Sequence, residues 1–231
     1  MSDQQSFKIT EDNPLLAELK LSWTSSEFTS DDGIGPMRSL HEAGDSLVAV
    51  AYIDDEGSSF LGSGVMVAPG LLLTATHVLD EIRALGKIPI FMTFLPAGAR
   101  GWLAKESRNS SHESKYEQGK ENPSDLTLVS CTLNSDALDG YPLNLATLRV
   151  GLPLVGERLW AFGFRLQHIE EGVASVSPMV SSGLVTAAFP QGRGERMPAP
   201  CLEVEMDTMG GMSGGPVVDS DGHVIGVVSS S

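Results

Sequence analysis

The chain has 231 residues, 41% of them hydrophobic, with 25 glycines and 13 prolines. That is enough apolar material for one large domain or two small ones, and so many turn-forming residues point to many short elements. Acidic residues outnumber basic ones 30 to 15, and a net charge of −15 disfavours nucleic acid and membrane as partners, because nucleic acid and anionic lipid carry the same sign.

The N-terminal stretch MSDQQSFKITEDNP has neither a basic region nor an apolar core, so no secretory signal is expected. No apolar run approaches membrane-spanning length, and the expected location is cytoplasmic. Residues 1–45 read as a polar N-terminal arm. Within it NPLLAELKL suits a short helix capped by Asn13 with Pro14 in its first turn, and SEFTSDDGIGPMRS suits a loop.

From Ser46 the pattern changes. SLVAVAYI, FLGSGVMVA and GLLLTAT are short β-rich runs separated by turn residues. HVLDEIRALG interrupts them with one or two helical turns, and IPIFMTF resumes the strands. Residues 104–124 are a polar insertion expected as an exposed loop, and DLTLVSCTL is the next strand. Beyond Gly151 the candidates are ERLWAFGF, MVSSGLVTAAF, CLEVEM, GPVVD and HVIGVVS, with a hairpin turn at DSDGHV. Two runs of short strands imply an all-β protein of two similar halves, residues 46–150 and 151–231. Cys131 and Cys201 both lie in apolar strand-like stretches and read as buried free thiols rather than as a disulfide framework.

The segment TMGGMSGGPVV places four glycines around Ser213. Glycine at this density is poor strand or helix material, but it suits backbone that bends tightly and aims N–H groups at one point. A serine hydroxyl needs a base, and the base needs an orienting group. His77 follows an apolar strand at the start of a short helix, with core residues on both sides. His41, His112, His168 and His223 lie in polar segments or at a hairpin and read as solvated. Asp125 leads into the strand DLTLVSCTL, where an aspartate can point back beneath a histidine; in isolation it would read as a turn residue. Asp80 shares the helix of His77, and Asp136 and Asp139 lie in a polar turn. The resulting order is His77, Asp125, Ser213. GMSGG also satisfies the G-x-S-x-G elbow of α/β-hydrolases, but that fold needs an acid and then a histidine after the serine, within alternating strands and long helices. This chain lacks that pattern.

GSGVMVAPGLLLTATHVL, SDLTLV and GGMSGGPVVDSDGHVIGV resemble, in this order, the histidine, aspartate and nucleophile regions of trypsin-like (chymotrypsin-fold) serine peptidases. The likeness is greatest to the bacterial HtrA-like and glutamyl-endopeptidase-like branches. VGERLWAFGF and SSGLVTAAF are similar to second-barrel strands of the family, and the resemblance covers roughly residues 46 to 231. It implies two packed six-stranded antiparallel β-barrels with His77 and Asp125 from the first and Ser213 from the second. It implies an oxyanion hole made by the N–H groups of Gly211 and Ser213, freed by Gly210 and Gly211, with Gly214 and Gly215 keeping bulk out of the cleft. Only five candidate strands occur after Gly151. The last strand of the second barrel is therefore expected either beyond this chain or as a substitute from residues 1–45.

The resemblance also implies a peptide or protein substrate, no metal and no cofactor. Ser229, Ser230 and Ser231 would pair with substrate backbone. Asp207 stands where trypsins carry a pocket aspartate, which implies a basic residue before the scissile bond; it also suits a plain turn. Thr208 occupies a slot used by glutamyl endopeptidases, but Val228 replaces the histidine those enzymes use. Met212 replaces the residue that receives a freed N-terminus in trypsins, so activation by that route is not expected. A cytoplasmic protease requires control, hence the expectation of a regulatory domain or partner protein. The alternative is a protease-like binding module without catalysis.

Overall fold

The computed structural model describes residues 3–6, 20–23, 40–54, 57–96, 98–113, 121–135, 139–165, 167–169, 173–176, 178–194 and 197–229. In chain order the elements are β1 (Asp3–Ser6), β2 (Lys20–Trp23), α1 (Leu40–Ala43), β3 (Leu47–Asp54), β4 (Gly57–Ala68), β5 (Leu71–Thr74), α2 (Thr76–Ala84), β6 (Ile90–Leu95), β7 (Gly98–Glu113) and β8 (Glu121–Leu133). They continue as β9 (Arg158–Phe164), β10 (Gln167–Ile169), β11 (Val173–Val176), β12 (Pro178–Phe189), β13 (Cys201–Glu205), β14 (Pro216–Val218) and β15 (Val224–Val227). The all-β expectation holds.

β3, β4, β5, β8, β7 and β6 pair in that circular order and close a six-stranded barrel, sealed by the β4–β5 pairing. The second half forms a curled five-stranded sheet in the order β13-β12-β9-β14-β15. Laid over the first barrel, β9, β12, β13, β14 and β15 take the places of β3, β4, β5, β6 and β7. The counterpart of β8 is not among the described residues, so the second barrel is open between β13 and β15. One isolated parallel bridge, Leu148 to Val224, borders β15.

Strand alternation builds two cores from single strands, because successive side chains point to opposite faces. In β3, Leu47, Ala49 and Ala51 join Phe94, Trp160, Phe162 and Phe164 between the two halves. Val48 and Val50 instead meet Leu72, Val78, Leu79 and Ile82 inside the first barrel. The Phe94 and Phe164 rings meet edge to face, with centroids 5.5 Å apart. α2 buries Val78, Leu79 and Ile82. It stops in a C-terminal cap: Gly86 takes φ +68°, its N–H reaches Arg83 O at 2.9 Å, and Lys87 N–H reaches Ile82 O at 3.1 Å.

Three expectations change. The polar insertion is not simply a loop: β7 and β8 run through it, paired as far out as Glu113 with Glu121. Cross-strand hydrogen bonding satisfies the backbone of such a ribbon without an apolar face, so hydrophobic periodicity misses it. The N-terminal arm carries strand segments, with β2 pairing β1 antiparallel and β11 parallel. Lys20 and Leu21, the end of the expected helix, belong to β2; residues 13–19 and the loop at 26–39 lie outside the described residues. The cysteines are free but only partly buried, and burial pushes the Cys131 thiol up to about 12.

Candidate active site

The turn from β5 into α2 sets His77 one residue inside the helix, while Val78 and Leu79 anchor the helix in the core. Asp125 lies within β8 rather than at its start. Two threonines tie the elements together, with Thr76 Oγ1 2.9 Å from Thr127 Oγ1. The His77 backbone N–H donates to Asp125 Oδ1 at 3.0 Å, and the ring Nδ1 lies 2.7 Å from Asp125 Oδ2. An ionised carboxylate only accepts, so Nδ1 carries the proton and Nε2 presents a lone pair.

The hydrogen bond to Asp125 raises the pKa of His77 above its ordinary 6.5; burial opposes this, and the charges of Asp125, Glu81 and Asp80 assist it. Burial pushes Asp125 upward most strongly of any single cause. The combined hydrogen bonds from His77 and Ser229 outweigh it and leave the carboxyl below its ordinary 3.8. Ser229 supplies its bond through the hydroxyl, Oγ to Asp125 Oδ2 at 2.6 Å. Sequence reasoning assigned Ser229 only a backbone role; a serine just after an apolar strand carries no local signal that its hydroxyl reaches β8. Ser230 and Ser231 lie outside the described residues.

Ser213 is half-buried in a loop held from three sides. Its carbonyl accepts from Ser63 N–H of β4 at 2.8 Å; Gly214 N–H reaches Val228 O at 2.7 Å, and Gly215 N–H reaches Met212 O at 2.9 Å. The peptide between Gly211 and Met212 is fixed at both ends. Ser63 Oγ donates to Gly211 O at 2.7 Å, and Met212 N–H donates to Met209 O at 3.0 Å. Gly211 has φ +98°, a region open to glycine. No described residue accepts from the N–H of Gly211 or Ser213.

Gly214 and Gly215 sit in close contact with both halves of the molecule. A Cβ on Gly214, at φ +83°, would lie 2.2 Å from Ser63 O, and one on Gly215 would lie 2.0 Å from Phe162 O. These glycines let the loop press against both halves of the molecule. Met212 is 1% exposed and packs with Ala161 and Val228, bordered by Met179, Met206 and Val217. It anchors the Ser213 loop through apolar contact.

Asp207 is exposed and Thr208 half-buried, while Val228 is buried in the Met212 cluster. Asp80 is engaged by Arg83 at 2.8 Å. His223 is half-exposed at the β14–β15 turn, where ligand atoms of Asp219, Asp221 and His223 come within 4.8 Å of one another. Asp219 there is already held by Arg149 and by the N–H groups of Asp221 and His223. Asp136 and the side chains of His41, His112 and His168 lie outside the described residues. Among the described residues, no helix is long and apolar enough to cross a membrane.

Comparison with solved structures finds similar folds. A structure titled "Crystal structure of Deg5" aligns over 87% of this chain and 86% of its own, with 19% identity and a TM-score of 0.55. A serine-to-alanine mutant of Rv3671c from M. tuberculosis H37Rv, inactive form, aligns over 89% and 86%, with 16% identity and a TM-score of 0.50. Comparison with curated protein sequences returns no match. With the closed first barrel and curled second sheet, these likenesses establish the chymotrypsin fold. The family profile for the trypsin-like peptidase domain matches residues 62–227, from the middle of β4 to the end of β15. That span holds His77, Asp125 and the Ser213 loop and exceeds half of the chain, and on this ground the chain belongs to the trypsin-like peptidase domain family.

Proposed function

We propose that the chain is a serine endopeptidase acting through His77, Asp125 and Ser213. The observation that carries this reading is the double attachment of His77 to one carboxylate, through its backbone N–H and its Nδ1. That arrangement leaves Nε2 as the proton acceptor a serine nucleophile requires.

The reaction follows from these roles. Ser213 Oγ bonds to the peptide carbonyl carbon while His77 Nε2 takes the hydroxyl proton. Charge collects on the carbonyl oxygen, where the N–H groups of Gly211 and Ser213 receive it; one such donor contributes about 3 kcal/mol of transition-state stabilisation. The C–N bond breaks as His77 passes its proton to the leaving amine. Water then repeats the sequence on the acyl-enzyme and frees Ser213. Asp125 holds the imidazole and stabilises its protonated form. The chemistry uses no metal or cofactor. Protein or peptide substrates and control by a further domain or partner protein complete the proposal, with the cytoplasm as its setting.

Hydrolysis of an unfolded protein such as β-casein tests it. The wild type cleaves and both Ser213→Ala and His77→Ala lose cleavage. Equal cleavage by Ser213→Ala contradicts the proposal.

A further inference from the structure

The edge of β4 that faces away from β3 is shared among three neighbours. Gly64 to Ala68 pair with β5. Ser63 gives its N–H to Ser213 O at 2.8 Å. Ser58 to Phe60 pair antiparallel with β10, in the register Gln167 with Phe60, His168 with Ser59 and Ile169 with Ser58. β3 covers Gly57 to Val65 from the other side, so β5, the nucleophile loop and β10 all lie along one edge. Between the nucleophile loop and β10 only Leu61 and Gly62 have no described partner strand on that edge. A register shift in the β3–β4 ladder between Val50 and Ala51 leaves Leu61 without a β3 partner as well.

Val228 lies on the other flank of the nucleophile loop, bonded to Gly214 and Gly215. With substrate backbone paired at Ser229, as the serine-peptidase reading expects, a peptide crossing Ser213 runs from the Val228–Ser229 side towards the β4 edge. An extended peptide gains affinity there by adding as a strand to the exposed edge. Two residues of β4 offer about 7 Å of edge, room for about two residues of an extended chain.

We propose that β10 closes the leaving-group side of the active site, so that an extended substrate pairs with β4 for only about two residues beyond the scissile bond. Longer leaving segments must bend away or displace β10. This inference rests on the serine-peptidase reading and deepens it: the favoured substrates are chain ends that leave a short C-terminal remainder. β10 comes from the second half of the chain and pairs with a strand of the first, so it also bridges the two halves.

The test uses the full chain and a library of peptides of varied length, with cut sites mapped by mass spectrometry. A fluorophosphonate probe, which has no leaving peptide, reports separately on Ser213. In wild type, cuts concentrate within about two residues of peptide C-termini, with about tenfold enrichment over internal sites, the worth of one or two net backbone hydrogen bonds. Alternate residues of an antiparallel strand aim their N–H groups at a given neighbour. His168→Pro and the pair Gln167→Pro/Ile169→Pro therefore cover both possibilities, because proline removes the donor. At least one moves cutting inward while probe labelling persists. A wild-type profile without terminal bias, or one that neither variant alters, overturns the inference and leaves the catalytic reading standing if Ser213 is labelled. Absence of labelling in wild type overturns both.

Discussion

The hydroxyl of Ser63 donates to the carbonyl of Gly211 at 2.7 Å, across 148 positions of sequence. The same oxygen accepts from Phe164 N–H at 2.8 Å. One serine of the first barrel thus fixes the peptide beside the proposed oxyanion hole and joins it to β9 of the second sheet. Ser63→Ala leaves a buried N–H and a buried carbonyl without this partner. Unfolding measurements should show a loss of about 1–3 kcal/mol, and kcat should fall by more than KM changes.

On the proposed mechanism, the His77–Asp125 pair sets the pH dependence. Only neutral His77 can take the serine proton, so kcat/KM rises as pH climbs through its pKa, which the hydrogen bond to Asp125 holds above 6.5. Asp125→Asn removes the acceptor that orients the ring. The plateau should drop by about 10⁴-fold, and the ascending limb should move to lower pH. A limb that stays in place would dissociate Asp125 from the titration.

Folding stability carries the same linkage. With its native pKa raised, His77 contributes stability in full below pH 6.5, and loses it as pH rises through the native value. Asp125 is depressed, so its contribution is present above 3.8 and disappears as pH falls through its lower native value. Ser229→Ala removes one bond to Asp125 and should shift the acid limb of a denaturation profile to higher pH.

Met212 gives a test of how the Ser213 loop is held. At 1% exposure among Ala161, Val228 and neighbouring methionines, it occupies an apolar site with no described cation. Met212→Leu should cost less than about 1.5 kcal/mol. Met212→Asp should cost roughly 3 kcal/mol or more in thermal or denaturant unfolding, because it buries a charge without a partner.

How much of this was legible in the sequence depends on the range of each signal. His77, Asp125 and the Ser213 loop stood out because each follows or precedes an apolar strand, a local pattern. The five strands of the second sheet were readable for the same reason. β7 and β8 were not read to their full length, because a polar ribbon satisfies its backbone by pairing and leaves no periodic trace. Ser63 and Ser229 were invisible in their roles, since a serine that bonds 148 or 104 positions away looks like any other serine. Met212 was readable only as a departure; its apolar contacts with Ala161 and Val228 lie 51 and 16 positions away and leave no local trace. β10 spans three residues, too few for a pattern to emerge.

The most direct test of the account is covalent labelling by a fluorophosphonate, with the modified peptide sequenced in wild type and in His77→Ala. The account predicts one adduct, on Ser213, and a labelling rate that falls steeply when His77 is removed. A wild-type protein that stays unlabelled, or one labelled at Ser213 equally fast without His77, would contradict it.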